Sequence, residues 1–398
     1  MRTTLPSNAL RVGVVLLALL AAPRMALEST KLLFGQTHFD ATDLKNFHRQ
    51  CLTWRSGEDI YAKLQTATYP PATYPLVAPL YVLDNDINRR VWFVHTIVVL
   101  GLLSWMCVHE SGADSPQEKL CVTLLPLAMF ATGVTLGTGH LTIHALTAVA
   151  AAVLLLYESR GRWRHELAAS ALMLFALVKP SLTAPFFWIF LLVPRRRSAA
   201  AFVIVGYLLL TVIGASFQPR SVEDQFRGFL ARGMALAELN GYGDIPLWLS
   251  ETGQANLIMP FTLAALAAMG LWVWANRAAD RWLLLGGLAI MTRFWAYHRL
   301  YHDMLNLFAF IALIRLVKGL AGNPTGDPVA AIVLLVALTT IPGPATPLEY
   351  WRGWVSVLLR GWQTAVRFLM LAVIMHRAWA YREPAPGRPA LAFSSSGG

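Results

Sequence analysis

Two aspartates stand close together in a polar stretch near the N-terminus. Asp40 and Asp43 are three residues apart, so a helix through this stretch would carry both carboxylates on one face. A carboxylate that is partly removed from water can act as a general base. The same spacing is also typical of an ordinary helix start, in which Asp40 or Thr42 caps the first turn. The spacing by itself leaves both interpretations open.

A lysine and two pairs of histidines lie beside or within apolar runs. Lys179 precedes a proline between two such runs, where an ammonium group is costly unless it is paired or functional. His140 and His144 are four residues apart, as are His298 and His302, which puts each pair on one face if the segment is helical. We expect His144 to pack inside a helix, and His140, at a loop, to be either packed or functional.

The second histidine pair raises the question of a metal site. His298 and His302 have the spacing of zinc ligands on a helix, but Asp303 is the one carboxylate near them. We therefore predict neither a metal nor a cofactor. Arg360, Gln363 and Arg367 share the last apolar run, where they either pair internally or extend towards the membrane surface.

The composition defines the class of protein that must position these residues. Of 398 residues, 56% are hydrophobic and 14% are charged, against about 25% charged in soluble domains. Three cysteines exclude a disulfide framework. The net charge of +11 comes from arginines and lysines clustered in short loops between apolar runs, the pattern of the positive-inside rule. This pattern excludes nucleic acid as a partner and predicts a multi-pass membrane protein.

The apolar runs predict an all-α fold of about 11–13 spanning or half-spanning helices, some short, broken or re-entrant. Leu10–Leu27 is either an uncleaved first helix, which we favour, or a signal peptide. Residues 1–382 are expected to form one domain with outer-face loops at 28–74 and 218–256. Residues 383–398 are rich in proline, glycine and serine and are expected to form a disordered cytoplasmic tail.

Three segments need separate interpretation. Leu167–Val178 and Leu182–Val193 are short, and basic residues flank both outer ends, which favours a broken hairpin with Lys179 at its tip over one kinked helix. Pro75–Leu83 is too short to span comfortably. Ser221–Asp224 resembles a capping box. It would open an amphipathic helix that roofs a substrate groove, the alternative being a plain loop.

Six short motifs occur in order along the chain and together resemble a known family. The set resembles the GT-C membrane glycosyltransferases, and more narrowly the GT87 group, which includes polyprenol-phosphate-mannose-dependent α-1,2-mannosyltransferases. The motifs are Asp43-Leu-x-x-Phe47, Gly57-x-x-x-Tyr61, Tyr69-Pro-Pro leading to Ala78-Pro79-Leu80, Gly137-Thr-Gly-His140, Leu177-Val-Lys179-Pro180 and Trp295-Ala-Tyr-His298 continuing to Asp303.

The resemblance implies transfer of mannose, or of another pentose or hexose, from a polyprenyl-phosphate donor to a lipid or glycan acceptor with inversion. It implies an active site on the outer face of a bacterial plasma (inner) membrane. By position, Asp43 would be the catalytic base. The expected substrate-binding residues are Asp40, Tyr69, His140, Lys179, His298, Arg299, His302 and Asp303. The rival hypothesis is a transporter or flippase of a lipid-linked substrate, which would carry its polar residues in broken helices at mid-membrane.

Overall fold

The computed structural model of the protein describes residues 7–37, 40–81, 83–159, 162–193, 197–240, 244–321, 324–343 and 354–381. All regular structure in these residues is helical, which confirms the predicted all-α fold. The tail predicted at 383–398 lies outside the described residues.

The α-helices of the first half of the chain begin with a long helix and continue through three short ones before the next long helix. They are α1 (Ser7–Phe34), α2 (Thr42–Arg55), α3 (Ile60–Lys63), α4 (Thr73–Val77), α5 (Asn85–Ser111), α6 (Pro116–Ala128), α7 (Phe130–Thr138), α8 (Thr142–Glu158) and α9 (Trp163–Ala176).

The second half alternates short helices with long ones. It contains α10 (Pro180–Thr183), α11 (Phe187–Leu192), α12 (Arg197–Ser216), α13 (Val222–Asn240), α14 (Ile245–Glu251), α15 (Ile258–Ala275), α16 (Arg281–Trp295), α17 (Asn306–Val317), α18 (Pro328–Leu338) and α19 (Trp354–Ala380). In the described residues, four 3-10 helices connect these elements, at Ala78–Tyr81, Ala184–Phe186, Ala255–Leu257 and Leu300–Leu305.

Six helices in the described part of the chain are long and apolar enough to cross a membrane. They are α1, α5, α12, α15, α17 and α19, with α15 and α17 each extended by the 3-10 turn before it. Two bent pairs of helices bring the number of candidate spans to at most eight if each pair is one span. One pair is α6 with α7, bent by 51°, and the other is α9 with residues 180–192, bent by 119°. Shorter apolar helices, α8 and α18, complete the set. The protein is therefore a multi-pass membrane protein, as predicted.

The break between α9 and α10 follows from its proline. Pro180 stands at the first position of α10, where its missing N–H costs nothing, but a helix continuing through it would lose a hydrogen bond. The Thr183 hydroxyl donates to the carbonyl of Ala176 at 2.7 Å, which satisfies an acceptor left open by the break. The chain turns by 119° at this break, so α9 and the segment 180–192 do not form one continuous helix.

A small core separate from the main one supports the segment between α1 and α5. It brings together Leu32 of α1, Leu44 and Phe47 of α2, Tyr74 of α4 and Val178 of the α9–α10 break, all of them buried. The Thr73 hydroxyl donates to the carbonyl of Val178 at 2.7 Å and ties α4 to that break. The small core therefore holds α2 against the tip of the hairpin.

The helix predicted after residue 220 is present, and the alternative of a plain loop is wrong. The Ser221 hydroxyl accepts a hydrogen bond from the backbone N–H of Asp224 at 3.1 Å, which fixes the first turn of α13. Gly228 lies against Tyr61, since a Cβ there would approach the Tyr61 Cβ to 3.0 Å. Arg232 donates from Nη2 to the Tyr61 carbonyl at 2.8 Å. These contacts hold α13 over the segment between α1 and α5.

Candidate active site

The turn before α2 separates the two aspartates that the sequence placed on one helix face. α2 begins at Thr42, and Ala41 precedes it at the N-cap position in a left-handed conformation, φ 51°, where its side chain offers no cap. Asp40 lies in the turn and accepts from the N–H and hydroxyl of Thr37, at 2.8 and 2.5 Å. The shared helix face is therefore wrong, and so is a cap by Asp40, because the helix starts after Asp40 and the Asp40 carboxylate bonds to Thr37.

Asp43, by contrast, lies in the first turn of α2 and faces a cavity of about 500 Å³. The cavity lies between α2, the segment before α4, the α9–α10 break, α13 and the segment before α17. Its described lining residues are Thr42, Asp43, Asn46, Gln50, Gln65, Thr66, Thr68, Tyr69, His140, Lys179, Arg232, Ala235, Leu236, Tyr297, Arg299 and Tyr301. Asp43 is the one carboxylate among these residues.

The surroundings of Asp43 act on its pKa in opposite directions. Desolvation inside the cavity is the largest effect and raises the pKa of the carboxyl. The ammonium of Lys179, the Thr138 hydroxyl and the guanidinium of Arg299 partly oppose this and favour the carboxylate. The result is a pKa above the ordinary value, which makes this carboxyl a better proton acceptor than a solvated aspartate once it is ionised.

Lys179 lies at the hairpin tip and enters the cavity between two aromatic rings. Its Nζ is 5.7 Å from the ring centroids of both Tyr69 and Tyr301, in cation–π geometry. It hydrogen-bonds Nε2 of His140 at 2.5 Å. No carboxylate among the described residues lies within ion-pair distance of Lys179, although its side chain is buried. A buried cation with this set of partners is suited to an anionic ligand.

His140 is placed by the glycine before it. Gly139 ends α7 with φ 72°, a conformation that favours glycine, and a Cβ there would lie 2.6 Å from the Leu44 Cβ. His140 Nδ1 is 2.7 Å from the Thr142 hydroxyl, and its Nε2 meets Lys179. Its ring also stacks near Tyr301, with centroids 4.4 Å apart. His140 is both packed, at 3% exposed, and part of the cavity wall.

Arg299 and two tyrosines reach the cavity from the segment between α16 and α17. Arg299 lies just before the 3-10 helix Leu300–Leu305, and its own N–H donates to Nδ1 of His302 at 3.1 Å. Tyr297 and Tyr301 flank it along the chain and line the same cavity. This segment therefore supplies the second cation that faces Asp43.

The two histidines of this segment lie behind the cavity wall and do not line it. His298 precedes the 3-10 helix, so the shared helix face predicted for His298 and His302 is wrong, although their rings meet edge to face at 4.9 Å. His298 Nδ1 lies 2.7 Å from the Tyr297 carbonyl. Nε2 of both rings is buried without a hydrogen-bond partner in the described chain. No group of three potential ligands for a metal occurs in the described residues.

Asp303 is held in an internal ion pair away from the cavity. Its carboxylate accepts from Nε of Arg293 and Nη2 of Arg367, each at 2.7 Å. Both arginines are buried, so Arg367 pairs internally and does not extend to the membrane surface. This arrangement joins α16, the 3-10 helix before α17, and α19.

His144 is a packed helix residue, as expected. It is 2% exposed in α8, and its ring centroid lies 4.8 Å from that of His95 and 4.5 Å from that of Trp92.

Of the nine predicted site residues, the cavity brings together Asp43, Tyr69, His140, Lys179 and Arg299. Asp40, His298, His302 and Asp303 lie outside its lining.

Several cavity residues were not predicted from the sequence, and two of them carried a readable signal. Asn46 and Gln50 follow Asp43 at i+3 and i+7, which is one face of a helix. In a helix that starts at Thr42, the helical period counted from Asp43 places Asn46 and Gln50 on the same face. Arg232, Gln65 and Thr68 carried no comparable signal, because the folding of α13 and of the segment before α4 over the cavity depends on distant contacts.

Apolar helices surround a cavity whose described lining carries one carboxylate, Asp43, and three cations, Lys179, Arg232 and Arg299. The sequence model of glycosyltransferase family 87 matches residues 67–324, more than half of the chain. The chain therefore belongs to this family and is a glycosyltransferase. No curated protein and no solved structure matches it. The match includes Tyr69, His140, Lys179 and Arg299, whereas Asp40 and Asp43 precede it.

Proposed function

We propose that the protein transfers a sugar, mannose or another pentose or hexose, from a polyprenyl-phosphate donor to a hydroxyl of a lipid or glycan acceptor. The bond between the acceptor oxygen and the anomeric carbon forms on the face opposite the departing phosphate, so the anomeric configuration inverts. The observation that carries this proposal is the cavity in which Asp43 faces Lys179 and Arg299. A single base opposite fixed cations is what such a displacement needs.

The proposed reaction begins at Asp43. Its carboxylate takes the proton of the acceptor hydroxyl while that oxygen attacks the anomeric carbon. The bond between the anomeric carbon and the donor phosphate oxygen breaks, and its electron pair leaves with the polyprenyl phosphate. One carboxylate is enough, because a phosphate is a good leaving group and needs no strong acid.

Lys179 and Arg299 would stabilise the charge that develops on the departing phosphate. Fixed cations in a site shielded from water act most strongly on the transition state, where this charge is largest. His140 would hold the Lys179 ammonium in place through its 2.5 Å contact. The rings of Tyr69 and Tyr301 flank the same ammonium, so they would also border the sugar or its phosphate.

The proposed setting is the outer face of a bacterial plasma membrane, in a GT-C-like architecture. Its support is the clustering of arginines in loops away from the polar segments that form the cavity. A lipid donor and surrounding membrane lipids suit this setting, because the cavity lies among short helices and loops that connect the candidate spans. We propose no cofactor, since Asp43 and the two cations cover the required roles.

The test is an assay of the purified protein in lipid nanodiscs with radiolabelled polyprenyl-phosphate sugars and a panel of lipid and glycan acceptors. We expect labelled product from the wild type and a 10²–10⁴-fold lower turnover in Asp43→Asn, which keeps the side-chain size but removes the base. Asp40→Asn is the matched control, because that carboxylate bonds Thr37 and lies outside the cavity lining.

Three results would count against the proposal. Near-normal turnover in Asp43→Asn would remove the assigned base. Retention of the donor's anomeric configuration, read by NMR of the product, would exclude direct displacement. Movement of the labelled donor lipid between leaflets without any sugar transfer would instead favour a transporter.

A further inference from the structure

The face of α2 that looks into the cavity continues beyond Asp43. Asp43, Asn46 and Gln50 lie at i, i+3 and i+7, and all three line the cavity. Side chains three residues apart on a helix are about 5–6 Å apart at Cβ. Two such groups can therefore contact two neighbouring hydroxyls of one bound molecule.

The two amides on this face differ in what they already bind. The Gln50 amide donates to the Thr66 carbonyl at 2.8 Å and accepts from the Tyr74 hydroxyl at 3.2 Å, which makes it part of the cavity wall. Within the described chain, no group hydrogen-bonds the side-chain amide of Asn46. Asn46 is therefore the amide on this face that is available to a ligand.

The chemistry of Asn46 fits a neutral hydroxyl compound. An amide offers both a donor and an acceptor, which is what a hydroxyl group needs from its partner. The cations that suit a phosphate, Lys179 and Arg299, reach the cavity from other elements, the hairpin tip and the segment before α17. The α2 face thus carries a base and a neutral amide, without a cation of its own in the cavity lining.

We propose that Asn46 is the acceptor-positioning residue: its amide holds a second hydroxyl of the acceptor beside the hydroxyl that Asp43 deprotonates. This inference rests on the proposed function and deepens it. The acceptor is then a molecule with hydroxyls on neighbouring carbons, such as a sugar or cyclitol, and not an isolated lipid alcohol. Asn46 acts through orientation and touches no breaking bond.

The experiment compares wild type, Asn46→Ala and Asn46→Asp with polyprenyl-phosphate [³H]mannose as donor and octyl α-mannopyranoside as acceptor. Asn46→Ala should raise the KM for the acceptor about three- to tenfold, the effect of one lost hydrogen bond, and leave the donor KM within twofold. Asn46→Asp places a second carboxylate near Asp43 and should move the acid limb of the pH–rate profile to higher pH. Asn256→Ala is the control, since Asn256 is exposed and outside the cavity lining.

Monodeoxy octyl mannosides distinguish positioning from a structural effect. If Asn46 holds one hydroxyl, the analogue lacking it should lose affinity for the wild type but lose nothing further in Asn46→Ala. Unchanged acceptor KM in Asn46→Ala, equal losses for every deoxy analogue, or transfer to 1-octanol as efficient as to the mannoside would each overturn the inference. Such a result with Asp43→Asn still inactive leaves the proposed function standing, whereas an active Asp43→Asn removes both.

Discussion

Two regions of this protein that contain buried charges have opposite surroundings. At the end of α5, Glu110 accepts from Nη2 of Arg281 with both oxygens at 2.9 Å, and from Nε1 of Trp282 at 2.8 Å. In the cavity, the buried Lys179 contacts a histidine and two aromatic rings, with no carboxylate at ion-pair distance in the described chain. The charges of the first region are paired in direct contact, whereas Lys179 has no such direct pair in the described chain.

The two regions are also far apart along the molecule. Arg89, near the start of α5, donates to the Gly35 carbonyl beside the cavity segment, whereas Glu110 lies about 30 Å further along the same helix. Asp280 and Arg315 extend the Glu110 region, with Nη2 of Arg315 2.6 Å from the Asp280 carboxylate. We infer that fully paired charges join the helices at that end, while the unbalanced cation of the cavity is kept for a ligand. Variants of the two regions can break this comparison.

The largest expected effect on stability is at Glu110. Glu110→Ala leaves Arg281 without its buried partner and removes the acceptor of Trp282, so the free energy of unfolding should fall by about 3 kcal/mol. Lys179→Met removes a buried charge without a carboxylate partner and should change stability by about 1 kcal/mol at most. Thermal unfolding in matched nanodiscs measures both. Equal losses in the two variants would show that the regions do not differ in the way we infer.

Ion pairs between residues that are far apart in the sequence could not be predicted from it. Pro180 predicted the break at Lys179, and Gly139 beside His140 marked a turn, because both signals are local. Asp303 was expected to bind substrate, but it pairs with Arg367, 64 residues later in the chain. Nothing near Asp303 indicates that partner, since the contact depends on the packing of α19 against α16.

The start of α2 shows a second limit of sequence reading. Helix signals around Asp40, Thr42 and Asp43 are compatible with a helix start at any of several residues. The exact start decides whether Asp40 shares a helix face with Asp43. The contact of the Ala41 N–H with the Gly137 carbonyl at 3.1 Å accompanies the observed start, and it joins segments almost a hundred residues apart. The common face of Asp43 and Asn46 could therefore be read from their spacing, whereas the exclusion of Asp40 from the helix could not.

A smaller effect is expected on donor binding at Lys179. A charge-assisted contact to a phosphate contributes about 1.5–3 kcal/mol, so Lys179→Met should weaken donor affinity about 10- to 150-fold. Lys179→Arg should not restore it fully, because a planar guanidinium does not fit the site between two tyrosine rings as an ammonium does. Equilibrium binding of a labelled polyprenyl-phosphate sugar measures this directly. If Lys179→Met binds the donor with wild-type affinity, the role of Lys179 is structural and it does not bind the donor phosphate.

The smallest effect is a shift in pH dependence, and it connects the cavity charges to the proposed base. Desolvation raises the pKa of Asp43, while Lys179, the Thr138 hydroxyl and Arg299 lower it. A base works only when ionised, so kcat should fall as the pH drops through this raised pKa. Lys179→Met removes one of the effects that lower the pKa of Asp43. The acid limb of the pH profile of kcat, measured at saturating donor, should therefore move to higher pH. Arg281 lies far from the cavity, so Arg281→Met should leave the acid limb in place. An acid limb that moves in Arg281→Met, or that stays fixed in Lys179→Met, would show that the titrating group is not Asp43.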